Sequence, residues 1–176
     1  MRIISGYLKG KTVKTPDTDK THPMGEKVRG ALFNILGDIT GLTVLDAFAG
    51  SGAIGFEALS RGAQAVTAIE TDLKAYEILK QNSVTLDAGD SFKCIHTSCL
   101  LWSQNNPNEQ FSIVICDPPY DKISEDAVTQ LSTHVQSKGI MVLSWPSDRT
   151  APEITHSELL TEKVYAGAKL IFYRKH

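Results

Sequence analysis

Hydrophobic and polar positions alternate between two patterns from residue 43 onward. Short, almost continuous apolar runs such as IVIC and IMVL are typical of strands that are buried on both faces of a parallel sheet. Between these runs, apolar residues recur at helical spacing. The alternation predicts βαβ units and a mostly parallel sheet with helices on both faces. We expect a strand that opens into a glycine loop over 43–50, further strands over 65–70, 92–97, 111–117, 139–145, 161–166 and 168–174, and helices over 26–36, 53–63, 72–86, 99–104 and 123–136.

Both ends of the chain depart from the alternating pattern. Two short β-prone runs within residues 2–14 surround a glycine-containing turn and predict a small hairpin. A polar loop with proline at each end follows over 16–23. The last two strands meet at Ala166-Gly167 and should form an antiparallel edge. We therefore divide the chain into an N-terminal arm, residues 1–23, and a main domain, residues 24–176.

Composition is that of one soluble globular domain. Of 176 residues, 41% are hydrophobic and 22% are charged, a balance that supports a core. No apolar run reaches membrane-spanning length and no signal peptide is recognisable, so we expect a cytoplasmic protein without a membrane partner. Three scattered cysteines (Cys94, Cys99 and Cys116) are expected as free thiols. The five histidines never pair at metal-ligand spacing, so no metal site is predicted.

Charge is distributed unevenly along the chain, although the net charge is only −2. Residues 1–29 contain seven Lys/Arg and three acidic residues, whereas the remainder is net acidic. A basic arm on an acidic body fits a phosphate-binding appendage. It also fits a solvated hairpin with ordinary lysines, and charge alone leaves both interpretations open.

The segment GSGAIG, residues 50–55, satisfies the G-x-G-x-x-G pattern between a strand and a helix. Glu70 lies twenty residues after Gly50, at the end of the next strand. Glycines let the backbone approach a ligand, and an acid at that position accepts hydrogen bonds from a ribose. The pattern therefore predicts a ligand that carries adenosine. The alternative is that Glu70 only caps the following helix.

Asp46 distinguishes between the possible adenosine ligands. It precedes the glycines by four residues, where a fixed carboxylate would oppose the pyrophosphate of a dinucleotide. The same carboxylate would suit the ammonium group of an amino-acid ligand, directly or through water. S-adenosylmethionine carries such a group, so Asp46 favours this cofactor over a nicotinamide dinucleotide.

A second candidate site lies in VICDPPYD, residues 114–121, after an apolar strand. Prolines donate no N–H and hold the residue before them extended, so the carbonyls of this segment point in fixed directions. Rigid acceptors suit an amino group with two hydrogens, and Tyr120 can stack on a planar base. These features predict a pocket for the exocyclic amine of a nucleobase. The alternative is a strand stop with Tyr120 packed against the protein.

The amine of a nucleobase is a poor nucleophile because its lone pair is delocalised into the ring. Carbonyls that hold both hydrogens out of the ring plane would return that lone pair to nitrogen for attack on a sulfonium methyl group. Positioning would supply much of the acceleration, and fixed dipoles would meet the charge that develops on nitrogen. Whether the Asp117 carboxylate also accepts the departing proton is left open by the sequence.

The [DNS]-P-P-[YFW] motif after the fourth strand and the D-x-F-x-G-S-G loop after the first resemble S-adenosylmethionine-dependent amino-methyltransferases of nucleic acids. The blocks RIISGYLKGK, KVRGALFNIL, LDAFAGSGAIGFEALSRGA, AIETD and DPPY, in this order, are similar to the RsmD-type bacterial methyltransferases. Those enzymes act on guanine N2 of 16S ribosomal RNA in the small subunit. The resemblance implies a Rossmann-like class I methyltransferase fold, with a mostly parallel seven-stranded sheet and an antiparallel C-terminal strand. It also implies S-adenosylmethionine as cofactor and ribosomal RNA as partner, and we expect a monomer.

The resemblance assigns residues to three groups. The cofactor would contact Asp46, Ala47, Phe48, Gly50, Ser51, Gly52, Glu70, Thr71, Ser98 and Cys99. The target base would contact Asp117, Pro118, Pro119 and Tyr120. RNA phosphates would contact Arg2, Lys9, Lys11, His22 and Arg29.

Three departures from the family pattern bear on the substrate more than on the chemistry. The family usually has Arg-Pro-Thr where this chain has His22-Pro23-Met24, and often has Glu where this chain has Gly30. Ser98-Cys99 replaces the Asp or Asn that often faces the cofactor adenine. Alternatives are methylation of adenine N6 in RNA or DNA, a nicotinamide-dependent oxidoreductase, and an RNA-binding relative without catalytic activity.

Overall fold

One seven-stranded sheet forms the centre of the computed structural model, which describes residues 1–16, 24–120, 124–165 and 167–176. The strand order is β3-β2-β1-β4-β5-β7-β6. The first five strands are parallel, and β7 runs antiparallel to both β5 and β6. This confirms the predicted mostly parallel sheet with an antiparallel C-terminal edge. The strands are β1 Thr43–Asp46, β2 Ala65–Glu70, β3 Phe92–His96, β4 Phe111–Cys116, β5 Val135–Pro146, β6 Ser157–Tyr165 and β7 Ala168–Lys175.

Helices cover both faces of the sheet, as the sequence predicts. Neighbouring residues of β1 show this, because Val44 belongs to one buried cluster and Leu45 to the other. Phe56 packs in the first cluster and Trp102 in the second. The helices are α1 Glu26–Leu36, α2 Ala53–Ser60, α3 Leu73–Thr85, α4 Cys99–Asn105 and α5 Glu125–Ser132.

The bounds of several predicted elements differ from those observed, and β6 begins at Ser157, four residues before its predicted start. The first strand ends at Asp46, and the following residues form a loop. The helix predicted over 123–136 ends at Ser132, and residues 121–123 lie outside the described part of the chain. Val135, expected on that helix, begins β5 because it pairs with Phe111 of β4. The apolar side chain fits either periodicity, so the partner strand decides its conformation.

The strand order changes direction between β1 and β4. β1 and β4 are neighbours in the sheet. The helix that follows β1, α2, lies on one face of the sheet, and the helix that follows β4, α5, lies on the other. Ligands of open α/β sheets bind at such a switch point, outside the carboxyl ends of the strands. The register places Asp46 beside Ile115, so the loop after β1 and the DPPY segment share this edge.

Residues 1–16 form an arm that packs against the body. The two halves of the arm are joined by one antiparallel bridge between Arg2 and Thr12 and by the Ile3 N–H, which donates to Lys11 O at 3.0 Å. Ile3, Leu8 and Val13 are buried in the same hydrophobic cluster as Phe56. The arm therefore shares the core of the main domain, and the boundary at residue 23 stays a prediction.

Candidate functional site

The glycine loop joins β1 to α2 and combines a tight interior with an open surface. Gly52 has φ +86°, and a Cβ there would lie 2.5 Å from Leu79 Cδ1 and 2.6 Å from Phe56 Cε2. Gly50 has φ +54°, but a Cβ there would meet nothing within 4 Å among the described residues. Gly52 is therefore needed for packing, whereas Gly50 leaves space that a ligand can enter.

Asp46 is a buried carboxylate with one oxygen unpaired. Its residue exposure is 0%. The Gly55 N–H donates to Oδ2 at 3.0 Å, whereas Oδ1 has no hydrogen-bond partner among the described residues. Burial, together with the charges of Asp117 and Glu70, raises the pKa of Asp46 to about 7, against the hydrogen bond from Gly55, which lowers it. An unpaired buried oxygen of this kind is unfavourable, and a cationic ligand or an N–H donor would satisfy it.

Glu70 ties the glycine loop to the end of β2. The Gly50 N–H donates to Oε2 and the Asp72 N–H donates to Oε1, both at 2.7 Å. The cap of α3 is Asp72, which accepts from the Ala75 N–H at 2.9 Å. Glu70 therefore orders the glycine loop, whereas Asp72 caps α3. Its contact with a ribose stays a prediction.

The residues that flank Asp46 and the glycines are anchored by their backbones. The Ala47 N–H donates to Ile115 O at 3.0 Å, which fixes the loop after β1 to β4. The Ser51 carbonyl accepts a hydrogen bond from Asn82 Nδ2 at 2.9 Å. Phe48 is half-buried against the cluster that contains Trp102.

The remaining predicted cofactor residues follow β2 and β3. Thr71 is exposed, and its carbonyl accepts from His96 Nε2 at 3.2 Å. Ser98 caps α4, because its Oγ accepts from the Leu101 N–H at 3.2 Å. Cys99 is buried, which raises the pKa of its thiol. The sheet edge therefore brings all three together with Glu70, while their contact with a cofactor stays a prediction.

The DPPY segment begins directly after β4. Asp117 and Tyr120 are half-buried, Pro118 is buried and Pro119 is exposed. Burial raises the pKa of the Asp117 carboxyl to about 6, and a hydrogen bond from the Ser144 hydroxyl opposes the rise. The Tyr120 hydroxyl lies 2.8 Å from the Ser144 Oγ. Because the charge of Asp117 raises the pKa of Asp46, the two carboxyls lie within electrostatic reach of each other.

Sequence reasoning missed two buried polar residues and a set of apolar side chains at this edge. Ser144 interrupts the apolar run of β5, and Asn82 is buried on α3. A polar residue within an apolar run was the available signal for Ser144. Three exposed apolar residues (Leu73, Leu100 and Leu101) stand at the starts of α3 and α4, where a flat ligand ring could cover them.

The five residues predicted to contact RNA differ in their surroundings. Arg2, Lys9 and Lys11 are exposed on the arm, as an RNA contact requires. His22 lies outside the described residues. Their contact with RNA stays a prediction.

The assignment of Arg29 to RNA phosphate is wrong. Its exposure is 0% and its guanidinium donates to the carbonyls of Arg2 and Met24. Its Nε lies 3.7 Å from Glu57 Oε2. Arg29 precedes the buried Leu32 by three residues and therefore faces the core with it.

Within 1–16, 24–120, 124–165 and 167–176, no three His, Cys, Asp or Glu side chains are grouped as metal ligands. No helix in those ranges is both long enough and apolar enough to cross a membrane.

Similarity to known proteins extends over nearly the whole chain. A family model described as Conserved hypothetical protein 95 matches residues 1–174. Ribosomal RNA small subunit methyltransferase D of Haemophilus influenzae is 33% identical over 169 residues, which cover 93% of this chain and 88% of the relative. The chain belongs to the RsmD-type methyltransferase family. The Escherichia coli K12 relative of the same name is 38% identical over 68% of this chain and 60% of its own length.

Solved structures agree with the family assignment. The Escherichia coli protein yhhF superposes with a TM-score of 0.87 at 29% identity, covering 99% of this chain and 97% of that one. A hypothetical protein of Thermus thermophilus gives a TM-score of 0.84 at 28% identity, with 98% of both chains covered. Membership in the RsmD-type family confirms the Rossmann-like methyltransferase fold and favours methyl transfer over hydride transfer.

Proposed function

We propose that this protein transfers a methyl group from S-adenosylmethionine to the exocyclic N2 of a guanine in 16S ribosomal RNA of the small subunit. The observation that carries the proposal is the meeting of the glycine loop and the DPPY segment at one switch point. There Asp46 has an unpaired buried oxygen and Asp117 lies within electrostatic reach of it. The relatives from Haemophilus influenzae and Escherichia coli are ribosomal RNA small subunit methyltransferases by name, which supports the substrate class.

The cofactor, when bound, would supply the electrophilic methyl group on a sulfonium. Asp46 would satisfy its unpaired Oδ1 with the ammonium group, directly or through water. The open surface at Gly50 would receive the amino-acid part, and Glu70 would accept hydrogen bonds from the ribose hydroxyls. Thr71, Ser98 and Cys99 would line the adenine.

The DPPY segment would hold the target guanine. Pro118 and Pro119 offer no N–H, so this backbone presents mainly carbonyl acceptors to the amine. Tyr120 would stack on the base, and its half-buried position leaves part of the ring accessible. Asp117, with a pKa of about 6, would be mostly ionised at neutral pH and would accept the proton that the amine loses.

RNA would be bound through the arm. Arg2, Lys9 and Lys11 would contact phosphates, which supplies affinity that depends on salt. The target base would enter unpaired or flipped out of its stack, because the amine must reach the DPPY segment. The protein would act as a monomer in the cytoplasm.

The test is methyl transfer from radiolabelled S-adenosylmethionine to small subunits that lack the modification, followed by digestion to nucleosides. We expect the label in N2-methylguanosine. Label in N6-methyladenosine would instead establish the adenine alternative, which the same DPPY segment could serve. No incorporation, with cofactor binding intact, would indicate a relative that binds RNA without catalysis.

A further inference from the structure

Ser144 is a buried hydroxyl in the middle of an apolar strand. It lies on β5 between Leu143 and Trp145, and its exposure is 4%. The parallel register pairs Cys116 with Leu143, so the next residue of each strand, Asp117 and Ser144, are neighbours across the ladder. A hydroxyl in this position needs hydrogen-bond partners, since its surroundings are apolar.

Two groups of the DPPY segment interact with Ser144. Its Oγ lies 2.8 Å from the Tyr120 hydroxyl, and its hydroxyl lowers the pKa of the neighbouring Asp117 carboxyl. Ser144 has one proton to donate, and an ionised carboxylate can only accept. A Ser144 hydroxyl that donates to the ionised Asp117 would accept the proton of Tyr120 through its free lone pair.

We propose that Ser144 is a positioning residue that fixes the Tyr120 ring and the Asp117 carboxylate relative to each other at the target base. The inference rests on the proposed function, because it assigns Tyr120 to stacking and Asp117 to the proton. The Tyr120 ring turns about two side-chain dihedrals, and the bond to Ser144 restrains its far end. Ser144 on β5 would thereby restrain the side chains of the DPPY segment, which itself lies in a loop after β4.

Ser144→Ala should lower kcat and leave cofactor affinity unchanged. We expect a loss of about 10- to 100-fold in kcat, the range for a misplaced catalytic group. Ser144→Thr keeps the hydroxyl and should recover most of the rate. Ser132→Ala is the matched control, because Ser132 is also 4% exposed and its hydroxyl donates to the Thr129 carbonyl outside the site. A melting curve for each variant verifies folding.

A double-mutant cycle separates positioning from a loss of packing. Tyr120→Phe keeps the ring and removes the bond to Ser144. If Ser144 acts through Tyr120, adding Ser144→Ala to Tyr120→Phe should lower kcat far less than it does in the native protein. Full additivity of the two losses would overturn the positioning of the ring.

The pH profile reports on the other partner. The hydrogen bond from Ser144 lowers the pKa of Asp117, so Ser144→Ala should move the acid limb of kcat to higher pH. The ionisable groups that face Asp117 are Asp46, Cys116 and Tyr120. In Asp117→Asn, the decrease of kcat at acid pH that arises from protonation of Asp117 should be absent. An acid limb unmoved by Ser144→Ala would contradict the bond to Asp117.

A readout without substrate distinguishes failure of this inference from failure of the proposed function. In ligand-free protein with ring-labelled tyrosine, the resonance that disappears in Tyr120→Phe identifies Tyr120. The native protein should show one fixed χ1 rotamer of Tyr120, and Ser144→Ala should show averaging between rotamers, since the hydroxyl bond restrains χ1 and not the flip of the ring about its own axis. An equally restrained ring in Ser144→Ala overturns the inference, even if methyl transfer occurs. A native protein without methyl transfer refutes the proposed function, and the ring measurement still decides the positioning.

Discussion

At the scale of the residue, Asp46 is the most informative group in the molecule. Its raised pKa means that the folded state holds a proton more tightly than the unfolded state does. The folded protein then binds more protons between about pH 4 and about pH 7, so this group favours folding at low pH and loses that contribution as the pH rises through about 7. A bound ammonium group would act in the opposite direction, because it favours the ionised carboxylate.

The affinity for S-adenosylmethionine should therefore increase with pH. Below about pH 7 we expect the affinity to fall by up to about tenfold per pH unit, since binding must then release the proton of Asp46. Titration calorimetry at several pH values, in buffers of different ionisation enthalpy, measures both the affinity and the released proton. Asp46→Asn should bind more weakly and with little pH dependence. Equal pH dependence in native protein and variant would contradict the assignment.

Tyr120 tests the pocket for the base. Removing the ring in Tyr120→Ala should reduce RNA methylation by roughly 5- to 150-fold, the loss expected for one base–aromatic stack. Cofactor affinity should survive, because Tyr120 lies on the DPPY segment and the glycine loop is unchanged. Steady-state kinetics together with calorimetry measure the two effects separately. Methylation at the native rate would remove Tyr120 from the base pocket.

At the scale of the element, the arm depends on close contact with α2. Glu57 accepts the Ile4 N–H at 2.7 Å and the Ser5 N–H at 3.1 Å, and the Leu8 N–H donates to the Ser60 Oγ at 2.9 Å. A Cβ on Gly6 would lie 1.6 Å from the Ser60 carbonyl oxygen. Backbone hydrogen bonds therefore hold the arm so close to α2 that no side chain fits at Gly6.

Gly6→Ala should displace the arm, and Gly10→Ala is its matched control. The two glycines have φ +81° and +82°, so the backbone strain of an added Cβ is alike, but the Cβ at Gly10 would meet nothing within 4 Å among the described residues. We expect Gly6→Ala to be less stable than Gly10→Ala by about 1–3 kcal/mol, the range for overpacking. Thermal and urea unfolding measure the difference. Similar stabilities would mean that the arm is not held against α2.

Strands and helices could be predicted from the sequence where the hydrophobic periodicity extends over many residues. The contacts of individual side chains could not, because they depend on residues that are distant in sequence. The alternation of strands and helices, with Asp46, Glu70 and DPPY at strand ends, predicted the edge of the sheet that carries the candidate site. Arg29 was misread because a basic residue near other basic residues suggests a surface. Only the packed structure shows that α1 turns it toward Glu57. Ser144 meets Tyr120 across 24 positions of sequence, a contact that no local pattern contains.

At the scale of the whole molecule, a basic arm stands on an acidic body. The described part of the arm, residues 1–16, carries four basic side chains and no acidic one, while the entire chain has a net charge of −2. Phosphate contacts release counterions, so binding through the arm should weaken steeply as salt rises. The acidic body limits contact with RNA elsewhere, because like charges repel.

Removing two exposed lysines of the arm should reduce the salt dependence of RNA binding. For Lys9→Ala combined with Lys11→Ala we expect the slope of log K against log salt to become shallower by about 1.4, because two single-strand phosphates would no longer be neutralised. Lys163→Ala, at an exposed position on β6, is the control and should leave the slope unchanged. Binding to small-subunit RNA at several salt concentrations measures the slope. An unchanged slope in the double variant would place RNA on another surface.

The buried contact between Arg29 and Glu57 also has an evolutionary consequence. The Glu57 carboxylate lies 3.7 Å from Arg29 Nε and 2.8 Å from Arg61 Nε, and it also accepts hydrogen bonds from two N–H groups of the arm. Losing Glu57 would leave the buried Arg29 guanidinium without the carboxylate that faces it, which is strongly unfavourable. Among homologues we therefore expect an uncharged residue at position 57 to be accompanied by an uncharged residue at position 29. The arm would then be inherited as a unit with α2, even where its surface lysines drift.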